Sequence, residues 1–221
     1  MRLAVYWLIF GLLTGLAGRA QVFQKTVLTD IPDGNPTGLG STIQVGGLAS
    51  QLQNITVSLD ISGGFNGDLY AYLSHGSSGF AVLLNRVGKT GSDPFGYADA
   101  GFSITLSDAA SQDIHGYGGN GGLAFSGNLQ PDGRNANPQL VLDSSPRSAM
   151  LSSFIGSDPN GPWVLFVADM AGGGGQATLQ DWSIAITAVP EPGIGTLFIA
   201  MTGCLLLAGK RLNRRWRTVR S

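Results

Sequence analysis

Cysteine and histidine are nearly missing from this 221-residue sequence, which has one Cys (Cys204) and two His (His75 and His115). No His/Cys zinc site of ordinary spacing can be assembled from three such residues. Cys204 lies in an apolar run near the C-terminus, so the body of the chain must hold itself by its core or by bound ions. Charge is scarce too: Asp, Glu, Lys and Arg make up 12%, against about 25% in ordinary globular domains. Glu is absent between residues 21 and 189, where thirteen Asp face five basic residues, Lys25, Arg86, Lys89, Arg134 and Arg147. That stretch carries a net charge of −8 inside a chain whose total is −1. An acidic body argues against nucleic acid as a partner. Helical periodicity is also absent from 21–189. Glycine, at 34 residues, is abundant.

Both ends are apolar, and each reads as an address. Residues 1–20 have the form of a secretory signal peptide: Arg2, an apolar run, then Gly18-Arg19-Ala20 with small residues before a cut at Gln21. At the other end come Val189-Pro190-Glu191-Pro192, a charge-free run over 193–209, and a basic tail over 210–221 containing Lys210, Arg211, Arg214, Arg215 and Arg217. Seventeen helical residues reach about 25 Å, a short membrane span. The basic tail would stay cytoplasmic and leave the body outside. This order of motif, span and basic cluster over 189–221 closely resembles the PEP-CTERM sorting signal of Gram-negative bacteria. The resemblance implies processing by an exosortase near Pro190-Glu191-Pro192, and delivery to the cell surface or an exopolysaccharide matrix after transit through the inner membrane.

Between the ends, apolar and polar residues alternate. In 54–62, Ile55, Val57, Leu59 and Ile61 are separated by Asn54, Thr56, Ser58, Asp60 and Ser62. That predicts a strand with one dry face. The same period predicts strands over 182–187 and 68–74, the latter with Leu69, Ala71 and Leu73 opposite Tyr70 and Tyr72. The continuous apolar run 163–168 predicts a central strand buried on both faces. Shorter candidates are 41–45, 80–84, 102–106 and 150–154. Clusters of Gly, Pro, Asn and Asp between them supply turns. Residues 113–138 read as a long surface loop. The expected class is all-β, a sandwich or jelly roll.

Three ordered segments within 41–188 resemble the P domain (Homo B domain) of proprotein convertases and bacterial subtilases. They are Gly67-Asp68-Leu69-Tyr70-Ala71-Tyr72-Leu73-Ser74, then Asn160-Gly161-Pro162-Trp163-Val164-Leu165 running to Asp169, then Leu179-Gln180-Asp181-Trp182. Ala177 stands where the family usually has Gly, and no His precedes Gly67-Asp68-Leu69. The resemblance implies a jelly-roll β-sandwich of the galactose-binding-like type over 21–188. In convertases this domain accompanies a subtilisin-like catalytic domain, for which 21–188 leaves no room, so the expectation is a noncatalytic chain.

Calcium is the sharpest chemical expectation. It takes six to eight oxygens, and Asp68, Asp99, Asp108, Asp169 and Asp181 stand at strand ends and turns. Asp68 and Asp169 are the best single candidates. Without an Asp-x-Asp-x-Asp-Gly loop, ligands would converge from separate strands; the plainer reading is that each Asp caps a turn. Tyr70 and Tyr72 are candidate carbohydrate contacts, while Trp163 and Trp182 read as core. Gly116-Tyr117-Gly118-Gly119-Asn120-Gly121 fits G-x-G-x-x-G, but no helix pattern follows, so a flexible loop is the default. His75 and His115 could serve catalysis in principle, yet no G-x-S-x-G elbow occurs, and a lone loop histidine is ordinarily solvated. The expected role is structural or interactive within the envelope or matrix. The alternatives are a carbohydrate-binding, adhesin-like module, and an accessory domain assisting a separate subtilisin-like protease.

Overall fold

The computed structural model describes residues 19–76 and 79–189. The apolar run of the expected signal peptide, Pro190-Glu191-Pro192, the expected span over 193–209 and the basic tail lie outside the described residues. Of the sorting motif only Val189 is described.

The described residues are nearly all β. Nine strands form in the order β1 (Gln21–Ile31), β2 (Leu39–Val45), β3 (Gln51–Ser62), β4 (Leu69–His75), β5 (Gly79–Asn85), β6 (Gly101–Leu106), β7 (Phe125–Leu129), β8 (Gly161–Asp169) and β9 (Ala177–Val189). They make two sheets, one ordered β1-β9-β3-β6-β7 and the other β2-β8-β4-β5. Every pairing is antiparallel except β6 with β7.

Period-two patterning explains the core. Ile55, Val57, Leu59 and Ile61 of β3, Phe102, Ile104 and Leu106 of β6, and Trp182, Ile184 and Ile186 of β9 are buried from one sheet. Leu69, Ala71 and Leu73 of β4 and Trp163, Leu165 and Val167 of β8 join the same hydrophobic cluster from the other. Fully burying such side chains stabilises by roughly 1.5–3 kcal/mol each. The two tryptophans also anchor polar atoms. Trp182 Nε1 donates to Ser41 Oγ across the sheets at 2.9 Å, and Trp163 Nε1 donates to Pro159 O at 2.8 Å.

The structure departs from expectation where the period breaks. In β9, Leu179 and Trp182 are both buried although three residues apart. The register shift opposite Asp60 and Ile61 absorbs the extra residue. β1 has a similar shift between Thr26 and Thr29, with Leu28 at φ 50°. Exposed along most of its length as an edge strand, it shows no clean alternation. β8 is central in its sheet as expected, but it is not buried on both faces: Val164 and Phe166 are only half-buried. Residues 150–154 are not a strand. Leu151–Phe154 form a 3-10 turn that sets Phe154 against Trp163, with ring centroids 4.8 Å apart.

The expected loop over 113–138 is also corrected. It contains a 3-10 turn at Ile114–Gly116 and all of β7. Ile114, His115, Tyr117, Leu129, Asp132 and Arg134 within it are buried. A segment that must return from the end of β6 to start a parallel partner has to run along the flank of the sandwich, and its side chains are what fasten it there.

Candidate functional site

Four of the body's five basic residues collect on this flank; Lys25 lies apart on β1. Arg86, Lys89 and Arg134 are buried, and Arg147 is half-buried. A buried cation requires acceptors, and each has them. Arg86 Nε donates to Gly67 O at 2.7 Å and Nη2 to Asp68 Oδ1 at 3.2 Å. Lys89 Nζ donates to Gln139 O and Val141 O at 3.0 and 2.9 Å. Arg134 donates to Asp143 O from Nε and Nη2, and its Nη1 lies 2.8 Å from Asp113 Oδ2 and 3.3 Å from Asp132 Oδ1. Arg147 donates to Asp132 O, Pro131 O and Gln130 Oε1. The Lys89 bonds tie the turn after β5 to residues 139–141, Arg86 ties it to the residues before β4, and Arg134 and Arg147 fasten residues 130–147 to one another and to Asp113.

His115 sits at the centre and is buried, not solvated. Nδ1 lies 2.7 Å from Asp132 Oδ2, and Nε2 lies 2.9 Å from Lys89 O. Both ring nitrogens face acceptors, so both must carry protons for both bonds to form. Burial opposes that charge, but the Asp132 bond and charge and the Lys89 carbonyl outweigh it and raise the pKa above the ordinary histidine value. His75 is also buried, stacked on Trp163 at 4.2 Å, and its nitrogens face Pro162 O and Asp158 O at 2.9 and 2.8 Å. A general base needs a lone pair free to take a proton. Each histidine nitrogen here already lies against a protein oxygen.

Asp68 and Asp169 are brought together at one end of the sandwich. Leu69 is in register with Asp169, and Met170 N donates to Asp68 O at 2.8 Å. Gly67 makes room for the turn before Asp68, since a Cβ there would strike Phe95 O. Burial pushes Asp68 up to about 6; Arg86 acts against this, while Asp169 and Asp33 add to it. Asp169 is raised by burial as well, although Ala171 N donates to its Oδ1 at 3.1 Å. Its Oδ2 is buried without a partner. That one oxygen is what a cation would take. Arg86 already bonds Oδ1 of Asp68 and would compete for it with any cation. Among the described residues no group of three or more His, Cys, Asp or Glu could hold a metal ion.

Asp99 and Asp108 act as turn caps, whereas Asp181 lies within β9, away from any strand end or turn. Asp99 accepts from Tyr117 Oη, Asn120 N and Gly122 N at 2.7, 2.6 and 2.7 Å. Asp108 accepts from Leu151 N and Ser152 N at 3.1 and 2.7 Å. Asp181 takes only a long bond from Gln24, at 3.4 Å. The G-x-G-x-x-G stretch wraps around Asp99 and leads into β7, with no helix after it.

Tyr70 and Tyr72 point away from the core on β4, both half-buried. Tyr72 stacks on Phe166 of β8 at 4.9 Å and lies 5.1 Å from Phe80 of β5. The result is an aromatic cluster on the outer face of the four-stranded sheet, of which the sequence pattern disclosed only the two tyrosines. The alternation around Phe166 was hidden because β8 is apolar throughout.

A cleft of about 480 Å³ opens on the charged flank, with Tyr97, Ser111, Gln112, His115, Arg134 and Asp143 among its lining residues. No sequence motif marks it, since its walls come from segments far apart in the chain.

The class that this fold defines is an all-β chain of two packed sheets. No family model matches the chain. No curated protein matches it either. Among solved structures, it is similar to the complex of Aeromonas sobria serine protease and the chaperone, at 13% identity and a TM-score of 0.46, covering 83% of this chain and 29% of that one. It is also similar to the serine protease of Aeromonas sobria, at 12% identity and a TM-score of 0.43, covering 76% and 26%. The chain thus spans less than a third of the length of either matched chain.

Proposed function

We propose that this chain is an exported, noncatalytic β-sandwich of the jelly-roll, galactose-binding-like type, with a structural or interaction role at the cell surface or in an exopolysaccharide matrix. The observation that carries the noncatalytic reading is the state of the histidines. Both are buried, and all four ring nitrogens lie against protein acceptors. The buried cations are likewise held by carbonyls and carboxylates of the fold itself. Such groups stiffen a scaffold and leave little to move a proton or attack a bond.

The terminal segments supply the export half of the reading. The signal-like 1–20 and the PEP-CTERM-like 189–221 suit a protein sent outward and handled by an exosortase. The P-domain-like segments, Gly67-Asp68-Leu69 above all, suit the jelly-roll assignment. The test is incubation of purified full-length protein with peptide and glycoside substrate libraries. No turnover is expected; turnover abolished by His115→Gln would overturn the proposal. Export is tested by fractionating cells with and without an exosortase, and retention of all the protein in the cytoplasm would refute it.

A second reading has an observation of its own. The outer cluster of Tyr70, Tyr72, Phe80 and Phe166 offers rings on a sheet face, the surface on which apolar sugar faces stack. Saturable glycan binding lost in Tyr72→Ala would favour this carbohydrate-binding role.

A further inference from the structure

The flank cleft sorts its polar groups in an uneven way. Its cations are already engaged: Arg134 is bonded through all three nitrogens, and His115 through both. An anion entering the cleft would find little donor capacity left from them. Acceptors and hydroxyls are in the opposite state. The Asp143 side chain is exposed and takes no hydrogen bond from the described residues; only its backbone oxygen is used, by Arg134. Gln112 donates from Nε2 to Gly116 O at 3.2 Å, which leaves Oε1 open. Ser111 lies exposed beside it. Tyr97 Oη accepts from Gly118 N at 3.2 Å, so its own proton is available. The Tyr97 ring is fixed by Tyr117, with centroids 4.5 Å apart, and by the bare backbone of Gly88, where a Cβ would come within 2.7 Å of the ring.

From this we propose that the flank cleft is a saccharide site, taking one or two hexose units that carry hydroxyl or amino groups and no carboxylate or sulfate. A hexose offers many O–H donors to an open carboxylate and amide oxygen, and accepts in turn from the tyrosine hydroxyl. The volume of about 480 Å³ lies within the ordinary range of small-molecule sites, roughly 300–1,000 Å³. Asp143, Gln112 and Tyr97 bind the sugar; Arg134 positions Asp143 by gripping its backbone oxygen. The site is separate from the Tyr70 and Tyr72 cluster. It rests on the reading of the chain as an interaction module, and it fails by different evidence.

The test is ligand-observed NMR and calorimetry on the full-length protein, with methyl glycosides of glucose, galactose, glucosamine and glucuronic acid. Saturable binding of at least one of the first three is expected, with the glucuronide at least about tenfold weaker, the size of one lost charge-assisted hydrogen bond. Asp143→Asn and Tyr97→Phe should each weaken binding about tenfold or less and leave the melting temperature within about 2 °C, a surface-sized effect. Absence of binding to all four glycosides overturns the proposal. So does binding whose affinity is unchanged in both variants, or that disappears with Tyr72→Ala, which would place the sugar on the outer sheet face. None of these results bears on catalysis; the noncatalytic reading falls only with turnover.

Discussion

The space between the sheets and the flank beside them are both well buried, yet they are made from opposite materials. The interior is aliphatic and aromatic, and its polar atoms are few, such as the Trp182 and Ser41 pair. The flank is held by four cations, Asp132, Asp113 and a row of backbone carbonyls. The interior gains from burial itself and tolerates small misplacements. A buried ionic layer gains only when every partner is present, and losing one strands a charge. The flank is therefore the more brittle of the two regions.

That contrast can be broken experimentally. Asp132→Ala should cost about 3–5 kcal/mol, the range for orphaning a buried charge, because it strands His115 and takes from Arg134 one of its two carboxylates, leaving Asp113. Trp182→Ala should cost a similar amount, about 3–5 kcal/mol for an emptied aromatic site. Chemical denaturation measures both. An Asp132→Ala cost below about 1 kcal/mol, the scale of an exposed pair, would mean the flank is held by something other than its charges.

Acidity separates the regions next. Asp68, raised to about 6, and His115, also raised, both hold protons more tightly when folded. By linkage, stability falls with rising pH wherever the folded state binds more protons. The Asp68 contribution is greatest below the usual carboxylate range and is lost as pH climbs to about 6. The His115 contribution is full below about 6.5 and is lost as pH rises through its higher folded value. Melting temperature should thus decline from pH 6 to pH 9, and the decline should flatten in His115→Gln. A variant that keeps the full slope would refute the assignment.

The interior was legible because one property, alternation, is written locally. Residues 54–62 and 182–187 declare their faces outright. The flank was not, because its logic is pairwise across distance: nothing near His115 announces Asp132 or the carbonyl of Lys89. The same holds for Asp68 and Asp169. Their nearness follows from the β4 and β8 register, and the arginine between them and a cation is eighteen residues from Asp68. β1 escaped notice for a third reason, since an edge strand with a bulge shows no periodic dry face.

Smaller effects refine the picture. Asp108→Ala should cost about 1 kcal/mol, as a lost cap does, by releasing the N–H groups of Leu151 and Ser152. A chelator should leave the melting temperature unchanged, given Arg86 beside Asp68; a fall of several degrees would support the calcium expectation. Tyr72→Ser should change stability least, within about 1 kcal/mol, because its ring lies outside the core.

β1 pairs with β9 along most of its length, with Gln21 opposite Ile186 and Ile31 opposite Ala177. The opening strand of the body thus waits for the closing one. While the chain is being synthesised, or threaded through a pore from its N-terminal side, β1 has no hydrogen-bonding neighbour in its sheet until residue 177 and beyond have emerged. Cutting the body anywhere before β9 would leave β1 and one edge of β3 open together.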